Sequence, residues 1–475
     1  MVYAVFVFAF LARLLSLMFA GGFDSILGYD DGVYFGASAA FVHGLIPYKD
    51  FVLVHPPGIL LILAPFTWIS KLTSDSFAFY AARIFFMLIG ATSTALIYVI
   101  AKRFNKPAAL IAATIYAVWN PVVRVERTAY LEGIGSLALL VALYLIPKAK
   151  TSKIQISFAG LALGIAVSTK LWFAVPVVII FAWLVLNREV LRALIFGSVA
   201  LGTFLLIIAW FWYQAGSRFW ELIITAQIHR ANFQLPLRTR IDQIFNFTSL
   251  TFLHNSNLRF VVGVAIVTLL TIPFIRFFKK HDQGILILFL FAAQFVVLLQ
   301  TPVFFNAYPS FVAATLALIA GITLGEFHRN IITGLVIASF ITISFHSTLT
   351  QEPGRDLPTK IEQLPLQKSR CVTSDDPVLL ALTNTLTKDL QNNCHLIFDV
   401  TGVIYGINST NSQDMTSKER RLKSDLYQRQ IEKYLSSGSV VILGRPKHDG
   451  LRRKTIQELD RNREVTETKS FVIIQ

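Results

Sequence analysis

Two adjacent carboxylates, Asp30 and Asp31, follow closely on a long apolar segment near the start of the chain. A carboxylate near a membrane-like segment costs free energy if it is desolvated, so such a residue usually serves a purpose. One chemical purpose is general-base catalysis, in which the carboxylate takes a proton from an attacking hydroxyl group. The alternatives are acids in a hydrated loop, or a cap for a helix that starts near Val33.

The loop around these acids is rich in side chains that can bind a substrate. After the acids come a helical run, Phe35–His43, a Gly-Leu-Ile-Pro-Tyr turn that ends at Tyr48, and His55 before two prolines. Tyr34 and Lys49 are further candidates for substrate contacts. Acids, aromatic rings and basic groups are thus concentrated in about 30 residues.

A second patch of charge lies at residues 124–132, which contain Glu126, Arg127 and Glu132. Its members would be able to bind a charged substrate. They are also consistent with an interfacial cluster whose charges neutralise one another, and without other information that interpretation is favoured.

Weaker signals come from Lys170 in Ser-Thr-Lys-Leu-Trp, Tyr308 in Phe-Phe-Asn-Ala-Tyr-Pro, and Arg230 in Gln-Ile-His-Arg. Lys170 alone is typical of a lysine that snorkels to the membrane surface. Aromatic residues such as Tyr308 are common at membrane interfaces.

The elements that must position these residues are membrane helices. Of the 475 residues, 54% are hydrophobic and only 15% are charged, and apolar windows of about 20 residues, long enough to cross a bilayer, recur along the chain. The short apolar run Ile59–Ile69 is predicted to be a helix at the outer interface. Eleven spans are predicted near residues 2–20, 78–101, 107–120, 130–147, 154–169, 171–187, 193–213, 259–277, 284–301, 308–325 and 331–347.

The net charge of +15 indicates orientation in a membrane rather than nucleic-acid binding, because the basic residues lie in short loops between apolar segments. The positive-inside rule places the more basic loops, and with them the N-terminus, in the cytoplasm. Eleven spans then put the C-terminus outside the plasma membrane. The loops concerned contain Lys102, Arg103, Lys106, Lys148, Lys150, Lys153, Arg188, Arg192, Arg276, Lys279, Lys280 and Arg329.

The composition changes after about residue 350, so we predict a transmembrane catalytic domain, 1–350, and an extracytoplasmic soluble α/β domain, 351–475. The second range carries 19 Lys and Arg and 16 Asp and Glu, with no spanning segment. Strand-like and helix-like runs alternate in it. Strands are predicted at Cys371–Thr373, Leu396–Val400, Ser439–Leu443 and Phe471–Ile474, and helices at Pro377–Leu390 and Lys418–Leu435.

Both cysteines of the chain, Cys371 and Cys394, lie in this second domain. An extracytoplasmic location allows them to pair, which would stabilise the fold by roughly 3 kcal/mol through loop closure. Two reduced, half-buried thiols are an equally weighted alternative.

The order of span, acid pair, short helix, Gly-x-x-Pro-Tyr, His-Pro-Pro and interfacial helix resembles the GT-C membrane glycosyltransferases. The likeness is greatest to the branch of the protein mannosyltransferases and the lipid A aminoarabinose transferase. That family has an Asp-Glu pair in its first outer loop, matched here by Asp30-Asp31, and a Lys- or His-Pro-Pro, matched by His55. It also has an Arg followed five positions later by an acid, matched by Arg127 and Glu132.

A Thr-Lys pair of the family matches Lys170, and the tail has a vaguer likeness. Ser374-Asp375-Asp376-Pro377 and the later stretch Phe398–Gly402 resemble the outer domains of some bacterial members. The likeness in layout covers roughly residues 1–345.

The resemblance implies transfer of a sugar from a polyprenyl phosphate to an acceptor outside the membrane, which is a protein, a glycolipid or a polysaccharide. It implies Asp30 as the base, with Asp31 and Glu132 orienting the acceptor or tuning Asp30. Direct displacement inverts the anomeric centre and requires no cofactor; a divalent cation is compatible with the acids, but nothing indicates one. The expected phosphate ligands are His55, Arg127 and Lys170, and the expected further substrate contacts are Tyr34, Lys49, Glu126, Arg230 and Tyr308.

Two other function classes stay open. A secondary transporter would line its substrate path with intramembrane charges, although the candidate residues here fall in outer loops and no inverted repeat is apparent. An inactive scaffold for envelope assembly is the third reading. Loss of turnover on substitution of Asp30 would distinguish an enzyme from a scaffold.

Overall fold

The computed structural model describes residues 1–146, 152–230, 235–250, 253–278, 282–327, 331–350, 354–355, 357, 366–407, 415–445, 449–461, 463–467 and 471–475. Several basic residues used above to orient the chain lie outside these ranges, namely Lys148, Lys150, Lys279, Lys280 and Arg329.

Each of the eleven predicted spans coincides with helix in the structure. One of them is a bent pair, Lys106–Val118 and Asn120–Glu126, and another combines the 3₁₀ turn Leu171–Phe173 with the helix Ala174–Leu186. The predicted interfacial run is also helical, over Gly58–Ile69. The helices at the other nine predicted spans are Val2–Phe19, Asp75–Ala101, Leu131–Leu145, Lys153–Thr169, Val190–Ala215, Ser256–Phe278, Asp282–Gln300, Ser310–Glu326 and Ile331–Thr350.

By length and composition, four helices among the described residues could cross a membrane, or five if the bent pair is one span. They are Val2–Phe19, Asp75–Ala101, Val190–Ala215 and Asp282–Gln300. The other apolar helices are shorter in their described parts. The count of eleven spans, the orientation of the termini and the interfacial position of Gly58–Ile69 therefore stay predictions.

The helix Val2–Phe19 shows the inverted polarity expected in lipid. Its large apolar side chains Phe8, Leu11 and Leu15 are exposed, whereas Arg13 and Ser16 are buried. A water-soluble helix would place these groups the other way round, because exposed apolar surface is unfavourable in water and favourable in a bilayer.

Contacts within the chain divide it into two compact units. The first consists of Met1–Phe19, Ile84–Ile207 and Leu235–Glu352, and the second of Ala20–Arg83, Ile208–Gln234 and Pro353–Gln475. These units do not follow the predicted boundary at residue 350, because residues 20–83 and 208–234 group with the tail. The division into a catalytic domain and an outer domain stays a functional prediction.

In the second unit, the tail forms a small sheet with helices, as predicted. Strand β1 is Val372–Ser374, β2 is Val440–Leu443, β3 is Val465–Glu467 and β4 is Val472–Ile474. Their order in the sheet is β1-β2-β4-β3. The pair β1 and β2 is parallel, with Thr373 opposite Val441, while β4 is antiparallel to both β2 and β3.

The strand predicted at Leu396–Val400 is wrong. This apolar run is buried, but its backbone forms a loop that leads into the helix Val403–Ile407. The Asp399 carboxylate accepts hydrogen bonds from Gly402 N at 2.8 Å and Thr401 Oγ1 at 3.0 Å, which favours a turn over a ladder. Strand β3 was missed because its residues are mostly exposed and polar.

Both helices predicted in the tail are interrupted. The first divides into Pro377–Leu382 and Leu386–Gln391 around Asn384, whose φ of 56° is left-handed. The second divides into Ser417–Lys423 and Asp425–Ser436. Ser424 ends the one and caps the other by accepting a hydrogen bond from Tyr427 N, a preferred role for serine. Among its described residues, the tail 351–475, which we call the sheet domain, also contains the helix Arg453–Asp460.

Cys371 and Cys394 form a disulfide bond, with their Cα atoms 5.9 Å apart. We expect the Cys371→Ser/Cys394→Ser variant to lose roughly 3 kcal/mol of stability in the sheet domain, because a loop closed in the unfolded chain is released. Limited proteolysis of purified protein across a urea series measures this loss. Dithiothreitol should destabilise the natural chain to the same extent and leave the double variant unchanged; equal resistance of all samples would contradict the prediction.

Candidate active site

The first-loop helix, Tyr29–Val42, carries both acids in its first turn. It begins six residues before the predicted start at Phe35, so neither acid is a cap that precedes the helix. Gly28 occupies the N-cap position, and no side chain caps the helix. Acidic residues are favourable at these positions, because the helix dipole places partial positive charge there.

Asp31 is fully buried and neutralised. Its Oδ2 accepts hydrogen bonds from Arg83 Nε at 2.9 Å and Arg83 Nη2 at 2.8 Å, and both side chains have no exposed surface. The Nη1 group of the same arginine donates to the carbonyl oxygens of Phe23 and Ser25, at 2.6 and 3.1 Å. Asp31 therefore fastens the first-loop helix to Arg83. Its predicted role in orienting the acceptor or tuning Asp30 stays a prediction.

Asp30, in contrast, is partly exposed at the start of the same helix. A carboxylate with one side toward solvent can accept a proton and release it again, which is the requirement for a base that turns over. The two neighbouring acids therefore differ in burial, and Asp30 is the more exposed of the two.

His55 is held by the turn that precedes it. The buried hydroxyl of Tyr48 donates to the His55 carbonyl oxygen at 2.6 Å, and the ring of Tyr34 lies edge-on to the imidazole with centroids 5.8 Å apart. Tyr48 has a left-handed φ of 68°, a strained conformation for a tyrosine. The turn thus brings Tyr34 and His55 together, whereas Lys49 is exposed.

Arg230 lies in the second unit, with its guanidinium 5.5 Å from the centroid of the Tyr405 ring. Its neighbour His229 lines a cavity of about 110 Å³, and the His229 carbonyl accepts a hydrogen bond from Arg420 at 2.9 Å. Arg218 and Glu221 line the same cavity. Arg230 is thus part of a mainly basic region.

In the first unit, the second predicted patch, residues 124–132, follows a bend between two helices. The helix Lys106–Val118 is followed at an angle of 63° by Asn120–Glu126. Pro121 at the start of the second helix has no N–H group with which to continue the first. The bend therefore places Glu126 and Arg127 at the end of a short helix inside the unit, where both are buried.

Glu126 is part of a closed group rather than an open substrate site. Arg13 forms an ion pair with its Oε2, and Tyr116 donates to its Oε1 at 2.7 Å. Gly90 faces this group, and a Cβ at that position would overlap both charged side chains. Both carboxylate oxygens of Glu126 are thus bonded within the first unit, and its predicted contact with the substrate stays a prediction.

Arg127 reaches the first helix of the chain. Its Nη1 donates to the carbonyl oxygen of Ser16 at 2.9 Å and to the Ser16 hydroxyl at 2.8 Å. Arg127 is almost completely buried, which strengthens any charge-assisted hydrogen bond that it makes.

Three residues that the sequence could only propose separately are together in the first unit: Glu132, Lys170 and Tyr308. Lys170 Nζ lies 2.5 Å from Glu132 Oε1. The same ammonium lies 4.2 Å from the Trp172 ring centroid and 4.4 Å from the Tyr308 ring centroid. A cation between a carboxylate and two aromatic faces is stabilised in a desolvated place, so Lys170 is not a snorkelling lysine.

Local structure explains how Lys170 reaches this position. It ends the helix Lys153–Thr169 in an extended conformation, before the 3₁₀ turn Leu171–Phe173. Gly135, one turn after Glu132, faces Phe173 so closely that a Cβ would overlap the ring. The glycine thus lets the two segments approach.

Sequence reasoning missed two arginines that pair with predicted site residues, Arg13 with Glu126 and Arg83 with Asp31. Both are single arginines inside apolar helices, and both are completely buried. A charged residue inside a membrane helix almost always pairs with another group, so this signal was present in the sequence although the partner was not identifiable. Among the described residues, no group of three His, Cys, Asp or Glu could hold a metal ion; independence from metal stays a prediction.

Comparison with known proteins adds to this picture. Residues 54–213 match the family model of the dolichyl-phosphate-mannose-protein mannosyltransferases. The matched range contains His55, Arg127, Glu132 and Lys170, and it begins after the acid pair. No curated protein matches the chain.

Solved structures match all or most of the chain. ArnT from Cupriavidus metallidurans bound to undecaprenyl phosphate is 13% identical with a TM-score of 0.66, and the match covers 100% of this chain and 97% of that one. The Archaeoglobus fulgidus oligosaccharyltransferase in complex with Zn and sulfate is 13% identical with a TM-score of 0.56, covering 93% of this chain and 68% of that one. At this identity the likeness shows a shared fold. The predicted resemblance to GT-C membrane glycosyltransferases of the mannosyltransferase and aminoarabinose transferase branch is therefore confirmed, by the family model over residues 54–213 and by the fold over the whole chain.

Proposed function

We propose that this protein is a membrane glycosyltransferase that moves a sugar from a polyprenyl-phosphate donor to a hydroxyl group of an extracytoplasmic acceptor. The acceptor oxygen attacks the anomeric carbon, the bond from that carbon to the phosphate oxygen breaks, and the lipid phosphate leaves with the electron pair. The configuration at the anomeric carbon inverts. Asp30 takes the proton of the attacking hydroxyl.

The observation that carries this proposal is the difference between the two adjacent acids. Asp31 is buried and bonded to Arg83, whereas Asp30 lies partly exposed at the start of the first-loop helix. A structural role for the pair as a whole would not require one of its members to be more exposed than the other. The likeness of the fold to ArnT, whose structure contains undecaprenyl phosphate, supports a lipid phosphate as the leaving group.

The leaving phosphate requires positive charge, and Lys170 is the best candidate to supply it. Its ammonium is desolvated and held by Glu132 and two aromatic rings, so it does not need to be ordered when the donor binds. We propose that the donor phosphate shares this ammonium with Glu132. Arg127 and His55 are further candidates as phosphate ligands, and Tyr308 supports the cation.

We expect Lys170→Met to lower kcat/KM for the donor, measured per folded molecule, about 10- to 100-fold, mainly through a higher KM. The change also leaves the buried Glu132 without its cation, so the folded fraction should fall as well. A charge-assisted hydrogen bond is worth about 1.5–3 kcal/mol, and each 1.4 kcal/mol corresponds to tenfold in affinity. Initial rates at varied donor concentration measure the effect. The control Lys102→Met removes an exposed lysine and should change nothing; a Lys170→Met enzyme with the donor KM of the natural chain would contradict the phosphate role.

The direct test of the function uses purified protein in lipid with a panel of labelled polyprenyl-phosphate sugars and protein, glycolipid and polysaccharide acceptors. Transfer of label from one donor supports the proposal and identifies the sugar. If no donor is consumed with any acceptor, and solute flux is detected in proteoliposomes, a secondary transporter replaces it.

A further inference from the structure

Tyr29, the residue immediately before Asp30, is bound by the C-terminal sheet domain. Its hydroxyl donates to Asp399 Oδ1 at 3.2 Å and accepts from Thr401 N at 3.1 Å. All these residues belong to the second unit. Burial raises the pKa of Tyr29 well above its ordinary value, as does the nearby charge of Asp399, so the phenol stays a hydrogen-bond donor.

A cation also contacts the face of the Tyr29 ring. The Arg445 guanidinium lies 4.3 Å from the centroid of the Tyr29 ring. Arg445 is itself held by Asp449 at 2.6 Å, and Asp449 is also paired with Arg421 at 3.0 Å. The ring of Tyr29 is therefore fixed both at its hydroxyl and across its face. We call the group of Tyr29, Asp399, Thr401 and Arg445 the Tyr29 clamp.

The same face of the first-loop helix packs against the sheet domain further along. A Cβ on Gly32 would overlap the backbone of Val378, and a Cβ on Gly36 would overlap the Phe398 ring. Positions 29, 32 and 36 share one face of a helix. Asp31, directed elsewhere, bonds to Arg83. The helix that carries Asp30 thus packs against the sheet domain over two turns.

Both tail motifs identified in the sequence, Ser374–Pro377 and Phe398–Gly402, contribute to this contact with the first-loop helix. The stretch Phe398–Gly402 supplies the clamp and the ring that faces Gly36. Asp376 caps the helix Pro377–Leu382 by accepting from Val378 N at 3.2 Å, and it is paired with Arg355 at 2.9 Å. The cap therefore orders the helix start that faces Gly32.

We infer that the sheet domain is a positioning element for the reaction: through the Tyr29 clamp it sets the place of Asp30 at the start of the first-loop helix. The inference rests on the proposed role of Asp30. Tyr29 and Asp399 are positioning residues, since they act through their neighbour. A catalytic group must stay within about 0.5 Å of its productive geometry, and the first turn of a helix frays unless it is held.

The test uses the full-length protein and two readouts. The first is kcat and donor KM for Tyr29→Phe, which loses the hydroxyl and keeps the ring beneath Arg445. The second is the labelling rate of an introduced thiol in the Asp30→Cys background, with and without Tyr29→Phe. The two natural cysteines are joined in a disulfide, so a thiol reagent reads the introduced group.

We expect Tyr29→Phe to lower kcat about 10-fold, with donor KM unchanged, because misplacement of a catalytic group by less than 1 Å costs this much. The labelling rate at position 30 should rise about 5-fold as the helix start is released. Asp399→Asn keeps an oxygen acceptor and should show a smaller loss than Asp399→Ala. If Tyr29→Phe fails to accumulate in the membrane, the comparison of Asp399→Asn with Asp399→Ala tests the positioning role instead.

Tyr434→Phe is the matched control. Tyr434 is a buried tyrosine of the same domain whose hydroxyl donates to the Ser374 carbonyl oxygen at 3.0 Å. Its substitution weakens the domain without removing a contact to the first-loop helix. If Tyr29→Phe and Tyr434→Phe give the same kcat and the same labelling rate, the positioning role is overturned.

The two readouts separate this inference from the proposed function. Full activity of Asp30→Asn would show that Asp30 is not the base. Faster thiol labelling in the Tyr29→Phe background would still show that the Tyr29 clamp positions residue 30. Unchanged labelling together with an inactive Asp30→Asn would keep the base and overturn the clamp.

Discussion

Asp30→Asn is expected to lower the rate of sugar transfer about 10²- to 10⁴-fold, the usual contribution of a general base. The amide has nearly the same size as the carboxylate and cannot accept the proton of the acceptor hydroxyl. Because Asp30 is partly exposed, the variant should fold normally and keep its donor KM. Single-turnover transfer from a labelled lipid-linked sugar, with thermal unfolding in detergent measured beside it, checks both statements.

Asp50→Asn is the control for this substitution. Asp50 lies exposed in the same loop, where its carboxylate accepts a hydrogen bond from Ile46 N at 2.7 Å. An asparagine can also accept that bond, so transfer should stay within twofold of the natural rate. Transfer by Asp30→Asn at the rate of this control would rule Asp30 out as the base, and a drop in unfolding temperature would point to a structural role instead.

Arg83→Met is expected to destabilise the protein by about 3–5 kcal/mol, the cost of leaving one partner of a buried ion pair uncompensated. The substitution strands Asp31 without charge compensation, and it removes the donors to the carbonyls of Phe23 and Ser25. The free energy of unfolding in mixed micelles measures the loss. Transfer activity should fall with the folded fraction, in contrast to the selective loss in Asp30→Asn.

A second arginine provides the comparison. Arg192 is paired with Glu189 three residues away, and both side chains are more than a quarter exposed. Arg192→Met should therefore cost less than about 1 kcal/mol. The double variant Asp31→Leu/Arg83→Met should recover part of the loss, since no buried charge is left alone. A cost for Arg83→Met as small as that for Arg192→Met would refute the structural role of the pair.

Hydropathy located the helices well, because an apolar run long enough to cross a bilayer is a local property of the chain. The spans predicted near residues 2–20, 78–101 and 193–213 are the helices Val2–Phe19, Asp75–Ala101 and Val190–Ala215. The tail was harder to predict. The buried run Leu396–Val400 reads as a strand, yet the hydrogen bonds that Asp399 accepts turn the backbone, and apolar composition does not report such bonds.

The candidate site shows the same division. Residue types and order in the first loop were sufficient to single out Asp30, Asp31 and His55 as candidate site residues, and their roles stay predictions. The environments of the two acids were not predictable from their positions, because they are adjacent and chemically alike. The contact with Arg83, 52 residues away, makes the difference.

The sequence by itself determined that this is a mostly helical, apolar chain with a small α/β tail, and that acids, cations and aromatic residues of the glycosyltransferase pattern are present. Only the tertiary structure decided which charges are paired. Glu126 meets Arg13 across 113 residues, Lys170 meets Glu132 across 38, and Tyr29 meets Asp399 across 370. A buried charge requires a partner within a few ångströms in space, and separation along the chain carries no information on that distance.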